Sequence, residues 1–351
     1  MLRRARLSTL LAALAGALAA IAALAAIAGA VGSGPVPPQK KLAVAIHDAL
    51  AGAGSVQGVT ANVAWTNRLL EGASIEEEGQ GGGPASNPLL AGAQGRIWID
   101  AHGDFRLELQ SQEGDEELYW DGTTLSLYDV ASATIYRYTP PPAKEGVRHH
   151  SSGVPAVKQI EAALARVEHG VALSGAEPAD VAGRPAYTVR ISPRESGSLL
   201  AGAELSFDAE NGTPLRAAVY ATSGSEPVME LAAQSVSYGP VAASVFTLSP
   251  PSGTKIVDVR AHGVHGGRAR GARPRVSLHG KGIAAIVSAE VRAGHSEGAV
   301  SGLPSVTLGT QQAQELKTAL GTIVTFVRGG VRYIAAGSDV PAKVEAVARG
   351  L

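Results

Sequence analysis

Apolar side chains recur at every second position through much of residues 95–142, and this period is typical of β-strands that bury one face. In residues 104–109, Phe105, Leu107 and Leu109 fall on one face of a strand, and charged side chains fall on the other. The pattern predicts that one face of this strand packs against apolar material while the other faces water.

A hairpin signal follows this strand. The apolar runs 118–120 and 125–128 are separated by a stretch that begins with Asp121 and Gly122, and glycine accepts the positive φ that tight turns require. A third run, 134–138, ends at three consecutive prolines, which lack the amide donors of a strand ladder. The whole stretch is predicted to form consecutive antiparallel strands of a curved sheet.

Two other segments, residues 40–50 and 154–170, have apolar residues at helical spacing and are followed or ended by glycine. They are predicted to be helices that cover the sheet. Alternation of apolar and polar residues predicts further strands over residues 59–65, 187–191, 205–207 and 215–220.

The N-terminal segment predicts contact with a membrane. Three arginines occur among the first six residues, and no further charge follows until Lys40. The apolar part, residues 10–31, has about 22 residues, or roughly 33 Å as a helix, enough to cross a bilayer core. Residues 1–34 are therefore either a cleaved secretory signal or a retained transmembrane anchor, and both alternatives place the remaining chain outside the cytoplasm.

Composition excludes several functions. The chain has 351 residues with 30 basic and 31 acidic side chains, so no global field recruits nucleic acid, and no nucleic-acid partner is predicted. Cysteine is absent, which excludes disulfides, thiolate chemistry and membrane attachment through a lipidated N-terminal cysteine.

Signals for catalysis or metal binding are weak. Residues 294–298 match the G-x-S-x-G nucleophile elbow, but no histidine follows Ser296, and the glycines after it disfavour the supporting helix. His149 and His150 are adjacent on a predicted loop without further ligands nearby. The Gly-rich segment 76–84 lacks the Lys-Ser or Lys-Thr pair of a phosphate-binding loop. The sequence therefore predicts no enzyme, no cofactor and no metal.

A change in composition marks a second unit near the C-terminus. Residues 261–274 contain several glycines and arginines and one long apolar side chain, which predicts a linker. Beyond it we expect a small α+β domain, with a strand over residues 283–291, a helix over 311–320, a hairpin over 322–335, and a last helix that begins at Pro341 and ends at Gly350. The predicted organisation is residues 39–258, a linker at 259–275, and residues 276–351.

Short motifs give the first of these units a resemblance to the LolA-type family. They are GRIWI at 95–99, FRL at 105–107, WDG at 120–122, LYD at 127–129 and Tyr136 in the first half, and GRPAY at 183–187 and FD at 207–208 in the second. The family includes periplasmic lipoprotein carriers, LppX-like lipid-binding lipoproteins and RseB-type regulators of anti-sigma factors. The resemblance implies an unclosed antiparallel β-barrel with covering helices and a hydrophobic cavity for acyl chains.

Two functions are predicted as alternatives, and a purely structural role in the cell envelope is a third. The first is an extracytoplasmic protein that binds a lipid or a lipidated protein, with transport as one use; the second is an RseB-like envelope sensor that binds a regulatory protein. An alternative structural expectation is that side chains and the two helices fill the cavity completely. Alternation does not tell which sheet face is concave. The predicted lining residues are Trp65, Phe105, Leu107, Trp120, Leu127, Tyr136, Leu205, Phe207 and Val219.

Overall fold

The computed structural model of the chain describes residues 34–71, 87–112, 114–140, 153–259, 275–280, 282–292 and 303–351. Five predictions fall outside these residues: the apolar segment 10–31, the Gly-rich segment 76–84, the histidine pair 149–150, the linker 261–274 and the elbow-like motif 294–298. In the part of the chain that is described, no helix has the length and apolar character needed to span a bilayer.

The described chain is mainly β. Its α-helices are α1 (Leu42–Ala53), α2 (Pro88–Ala91), α3 (Val157–Val167) and α4 (Pro341–Arg349). The strands of the larger sheet are β1 (Gly58–Asn67), β2 (Ala93–Asp100), β3 (Phe105–Ser111), β4 (Gly114–Trp120), β5 (Leu125–Asp129), β6 (Thr134–Tyr138), β7 (Val171–Leu173), β8 (Glu177–Val181), β9 (Arg184–Pro193), β10 (Leu200–Asp208), β11 (Pro214–Ala221), β12 (Pro227–Tyr238) and β13 (Lys255–Val259). The smaller sheet contains β14 (Arg275–His279), β15 (Ile286–Arg292), β16 (Ser305–Leu308), β17 (Gln311–Thr318), β18 (Gly321–Arg328) and β19 (Val331–Gly337).

The larger sheet is unclosed, as predicted. Its strands follow the order β13-β6-β5-β4-β3-β2-β1-β12-β11-β10-β9-β7, with β8 also paired to β9. Neighbouring strands are antiparallel with one exception, because β13 runs parallel to β6. The prediction of a wholly antiparallel sheet was wrong at this edge. After β12 the chain passes through a 3-10 turn, Ala243–Phe246, that contacts β3. The connection therefore crosses the sheet before β13 pairs with β6, as a parallel pair requires.

Strand β1 joins the two halves of this sheet. On one side it pairs with β2, the next strand in the chain, and on the other with β12, far along the sequence. The pairs between β1 and β12 run from Val59 opposite Tyr238 to Asn67 opposite Met229. The sheet is therefore continuous only when residues from both halves of the sequence are in place.

The predicted hairpin between β4 and β5 is confirmed. Gly122 has a φ of +81°, a region that glycine occupies without strain. The side chain of Asp121 stabilises the turn, because its Oδ1 accepts hydrogen bonds from the amides of Thr123 and Thr124 at 2.9 and 2.7 Å. Local turn chemistry thus fixes the register of this hairpin.

Helices α1 and α3 cover one part of the larger sheet. Ala45 and Ala49 of α1 are buried against Tyr187, Val189 and Phe207 of β9 and β10, and α3 packs against α1. Small alanine side chains allow the helix to approach the strands closely. Helix α1 lies over β9 and β10, and α3 packs on α1.

The smaller sheet has the order β14-β15-β19-β18-β17-β16, and α4 packs on one face of it. Val344 and Ala348 of α4 are buried with Val324 and Phe326 of β18. Pro341 begins this helix and Gly350 follows it, as predicted. The hairpin of β18 and β19 also agrees with the sequence.

One predicted helix, residues 311–320, is a strand in the structure. These residues form β17, which pairs with both β16 and β18. Its glutamines, Leu316 and Lys317 are good helix formers, but Ala313 and Glu315 are buried in the sheet. Backbone pairing with two neighbours therefore overrides a weak local preference.

The two sheets contact each other through strand ends. The hydroxyls of Ser198 and Ser338 lie 2.8 Å apart, and the amide of Ala319 donates to the carbonyl of Leu69 at 3.3 Å. Ala319 and Leu320, in the turn between β17 and β18, pack against the apolar core of the larger sheet. The smaller sheet thus contacts the larger one at the strand ends near Leu69 and Ser198.

Candidate binding cavity

The concave side of the larger sheet encloses a cavity of about 650 Å³. Strands β1–β5, β11 and β12 supply most of its wall, and α2 contributes Leu89. The lining is almost wholly apolar because these strands alternate, and the apolar member of each pair of positions points inward. A cavity of this size lies within the range of small-molecule sites in proteins.

One end of the cavity is closed. Trp65 on β1, Leu109 on β3 and Leu89 on α2 line it there, and their exposed fractions are 5%, 2% and 3%. Trp65 and Leu89 are joined directly, since the indole Nε1 donates to the carbonyl of Leu89 at 2.9 Å. These buried side chains therefore close this end on the side formed by β1, β3 and α2.

The opposite end is open. Paired residues across β1–β5 at this end include Ile99, Phe105 and Trp120, whose side chains are only half-buried. Gly103 and Pro214, which also line the cavity here, are exposed. On β3 and β4 the lining side chains become less buried toward this end, whereas Val59 on β1 and Leu125 on β5 are buried at the same level. The exposed Gly103 and Pro214 mark the mouth of the pit.

Five of the nine residues predicted from the sequence line this pit. Phe105 and Trp120 lie near the mouth, Leu107 lies midway along β3, and Trp65 and Val219 lie toward the closed end. These positions share the inward face of their strands. Their part in ligand binding remains a prediction.

The structure does not place the other four residues on the cavity wall. Leu127 and Tyr136 belong to the adjoining apolar cluster. Leu205 lies opposite Ala217 on the same sheet face, yet it is half-buried and away from the cavity. Phe207 is covered by α1 and packs against Tyr187, with ring centroids 6.0 Å apart. Alternation groups the residues of each strand by face, but it could not show which strands the helix covers.

Several residues that line the cavity were not predicted from the sequence. Met229, Leu231 and Ala233 alternate along β12, so a strand signal was present in that segment. Leu89 gave no such signal, because it lies in a four-residue helix without a readable period. Its role depends on contacts with strands that are distant in the sequence.

A buried carboxyl lies behind the closed end. Glu116 of β4 is only 3% exposed, and its Oε1 accepts a hydrogen bond from Asn87 Nδ2 at 2.7 Å. Its Oε2 is buried and has no hydrogen-bond partner among the described residues. Burial, and then the charge of Asp129 opposite it on β5, raises the pKa of Glu116 to about 8. The carboxyl therefore carries a proton at neutral pH.

A second polar cluster shapes the mouth. Asp208 is fully buried and accepts hydrogen bonds from Arg184 Nε, the Tyr238 hydroxyl and the Glu210 amide, at 2.8, 2.7 and 2.8 Å. Burial acts to raise the pKa of Asp208, but the hydrogen bonds outweigh it, with that from Arg184 the strongest, and the pKa is lowered. The ionised carboxylate holds the turn that places Thr213 at the mouth.

The outer face of the same strands is polar. Arg106 alternates with Leu107 and lies over the rings of Trp98 and Tyr119, at 5.5 and 5.0 Å from their centroids. It also forms an ion pair with Glu117 at 3.2 Å. Charged groups thus cover the aromatic rings on the outer face at this point.

The polar residues of the lining include Tyr138 and Thr213. Glu230 also borders the cavity, but it alternates with Met229 and Leu231, so its carboxylate lies on the outer face, 3.3 Å from the guanidinium of Arg216. Burial raises the pKa of Glu230, although Arg216 opposes the shift. Among the residues that the structure describes, no group of three or more His, Cys, Asp or Glu is placed to hold a metal ion.

Comparison with known proteins adds the following findings. No known protein family and no curated protein matches the chain. Solved structures similar to it include the MucA/MucB complex of Pseudomonas aeruginosa, with 16% identity, 87% of this chain and 96% of that chain covered, and a TM-score of 0.43. A LolA superfamily protein from Nitrosomonas europaea has 9% identity, 87% and 97% coverage, and a TM-score of 0.20.

A lipoprotein-sorting domain from Vibrio parahaemolyticus is also similar, with 8% identity, 88% and 98% coverage, and a TM-score of 0.22. The chain itself is defined by its own geometry as a mainly β protein whose unclosed sheet surrounds an apolar pit.

Proposed function

We propose that the protein binds an acyl chain, carried by a lipid or a lipid-modified protein, in the pit of the larger sheet. The observation that supports this proposal is the shape of the cavity: about 650 Å³, apolar along its walls, closed at Leu89 and open near Gly103. An elongated apolar site with one polar mouth fits a hydrocarbon chain whose head group stays in water.

The energetics favour an acyl ligand. Each methylene that leaves water contributes about 0.8 kcal/mol, so a chain of ordinary length gains enough to offset the entropy lost on binding. The alternative of a filled cavity lacks support, because α1 lies over β9 and β10, beside the pit, and α3 packs on α1. We also propose, from the N-terminal sequence, that the protein acts outside the cytoplasm at a membrane.

Native mass spectrometry tests the binding proposal. We expect the full-length protein, isolated from cell envelopes in a fluorinated surfactant that mixes poorly with hydrocarbon, to carry one lipid per chain. The physical reason is that the empty pit exposes its apolar lining to water. A protein that is isolated without lipid and also takes up no added lipid would contradict the proposal.

A second candidate function is binding of an envelope regulatory protein, as the RseB-type resemblance implies. It is favoured by an apolar surface on the smaller sheet. Val276 and Leu278 of β14 are 57% and 66% exposed, and Val287 of β15, paired with Leu278, is 44% exposed. These residues share the face opposite α4. Exposed apolar residues that are contiguous on a surface are typical of protein contact sites.

A charge on this surface tests the second candidate. In Leu278→Asp we expect at least about a tenfold loss of specific cross-links to a partner protein, because an aspartate must be desolvated in the interface. Cross-linking followed by mass spectrometry in intact cells measures the effect. Ser277→Asp is the matched control, since Ser277 is exposed on the other face of the same strand. If Leu278→Asp forms the specific cross-links as efficiently as Ser277→Asp does, the result would argue against a partner at this surface.

A further inference from the structure

Helix α2 closes the inner end of the pit. It packs against β1, β3 and β4, and the side chain of Leu89 is its contribution to the cavity wall. Leu89 is 3% exposed. Any chain that enters from the mouth along the strands therefore meets this side chain at the end of its path.

Polar bonds fix the backbone of α2. The carbonyl of Leu89 accepts from Trp65 Nε1 at 2.9 Å and from Asn67 Nδ2 at 2.7 Å. Asn87 caps the helix, since its Oδ1 accepts from the Leu89 amide at 2.9 Å. A four-residue helix has little stability of its own, so these bonds hold it in place. The backbone of Leu89 consequently cannot move away from the pit without breaking two buried hydrogen bonds.

Polar groups lie on the side of Leu89 that faces away from the pit. Asn87 donates from its Nδ2 to Glu116, and the Oε2 of Glu116 is buried without a partner in the described part of the chain. An apolar tail that pushed past Leu89 would meet these polar groups and could not satisfy them. Steric and polar barriers therefore coincide at one point.

The length of the pit can be read from β1. Val59 lies near the mouth and Trp65 lies at the closed end, and both line the cavity. Six residue steps along a strand correspond to about 20 Å. A staggered alkyl chain with bonds of about 1.5 Å advances roughly 1.3 Å per carbon, so the pit accommodates about 16 carbons.

We infer that Leu89 is the stop that sets the length of acyl chain the protein accepts. The inference rests on the proposed acyl-binding function and adds its ligand class, a single long-chain acyl group of about 16 carbons. Within the pit each further carbon tightens binding about fourfold. Once the end of the chain reaches Leu89, additional carbons remain outside the mouth and add little to the affinity.

The test measures binding of saturated fatty acids of increasing length to the full-length protein in fluorinated surfactant, by displacement of a fluorescent fatty acid. For the wild type we expect affinity to rise with length and to level off at about 16 carbons. In Leu89→Ala, which removes three carbon atoms, the plateau should move about three carbons longer. In Leu89→Phe it should move about two carbons shorter, because the larger ring fills the end of the pit.

Leu308→Ala is the matched control. Leu308 is buried in the core of the smaller sheet and does not line the pit, so the identical change should leave the plateau where it is. If the wild type binds no fatty acid of any length, the proposed function itself fails. If the wild type binds but the plateau is unchanged in both Leu89 variants, Leu89 is not the stop. Circular dichroism verifies folding, and Leu89→Phe decides alone if Leu89→Ala does not fold.

Discussion

Leu107→Glu is expected to abolish acyl binding while the protein still folds and is exported. Leu107 lies midway along β3, between Phe105 and Leu109, and all three side chains line the pit. A carboxylate at this position is hydrated only while the pit holds no acyl chain. Desolvation of this carboxylate by a hydrocarbon chain costs at least about 3 kcal/mol of binding free energy, which lowers the affinity more than a hundredfold.

Gln110→Glu provides the control for charge alone. Gln110 belongs to the same strand but is exposed on its outer face, so the same new charge should leave lipid binding unchanged. The measurement is the amount of lipid that co-purifies with each variant and the affinity for a fluorescent fatty acid. A folded Leu107→Glu protein that retains lipid at the wild-type level would exclude this cavity as the site.

Glu116→Gln is expected to stabilise the protein at alkaline pH and to remove much of the pH dependence of its stability. The pKa of Glu116 is about 8 in the folded protein and 4.5 as the reference value of the free side chain. Between these values the unfolded chain has released the proton while the folded chain retains it. The free energy of unfolding therefore falls as pH rises from about 4.5 to about 8, and it levels off above that.

The size of this effect follows from the shift in pKa. Each unit corresponds to about 1.4 kcal/mol, so the wild type loses up to about 5 kcal/mol across the interval. Glutamine retains an oxygen that accepts from Asn87 and has no proton to lose. Urea denaturation at pH 5, 7 and 9 measures the difference between the two proteins.

Asp115→Asn is the control for this measurement. Asp115 precedes Glu116 on the same strand and is exposed, so removal of its charge should leave the slope of stability against pH intact. If Glu116→Gln follows the same slope as the wild type, the carboxyl of Glu116 is not the group responsible.

The sequence was informative where structure is set by neighbours along the chain. Phe105, Leu107 and Leu109 were assigned to one face because a strand has a period of two. The turn at Asp121 and the start of α4 at Pro341 were predicted because each depends on the conformation of one or two residues. Such features need no knowledge of distant contacts.

The sequence did not predict structure that depends on contacts between residues far apart along the chain. Residues 311–320 contain helix formers, yet two neighbouring strands hold most of them in β17. Phe207 has the alternation of a lining residue, but α1 occupies its part of the sheet. Leu89 closes the pit through hydrogen bonds to Trp65 and Asn67, more than twenty residues earlier in the chain. No local period encodes such contacts.

The pairing of β1 with β12 has a consequence for the order of folding. Paired residues in these strands are roughly 160 to 180 positions apart, so β1 must wait for most of the larger sheet to emerge before one of its edges is covered. A chain that crosses a membrane from its N-terminus would hold this bare strand edge open throughout transit. Unpaired edges recruit other chains, so protection from aggregation during export is a demand that the topology itself imposes.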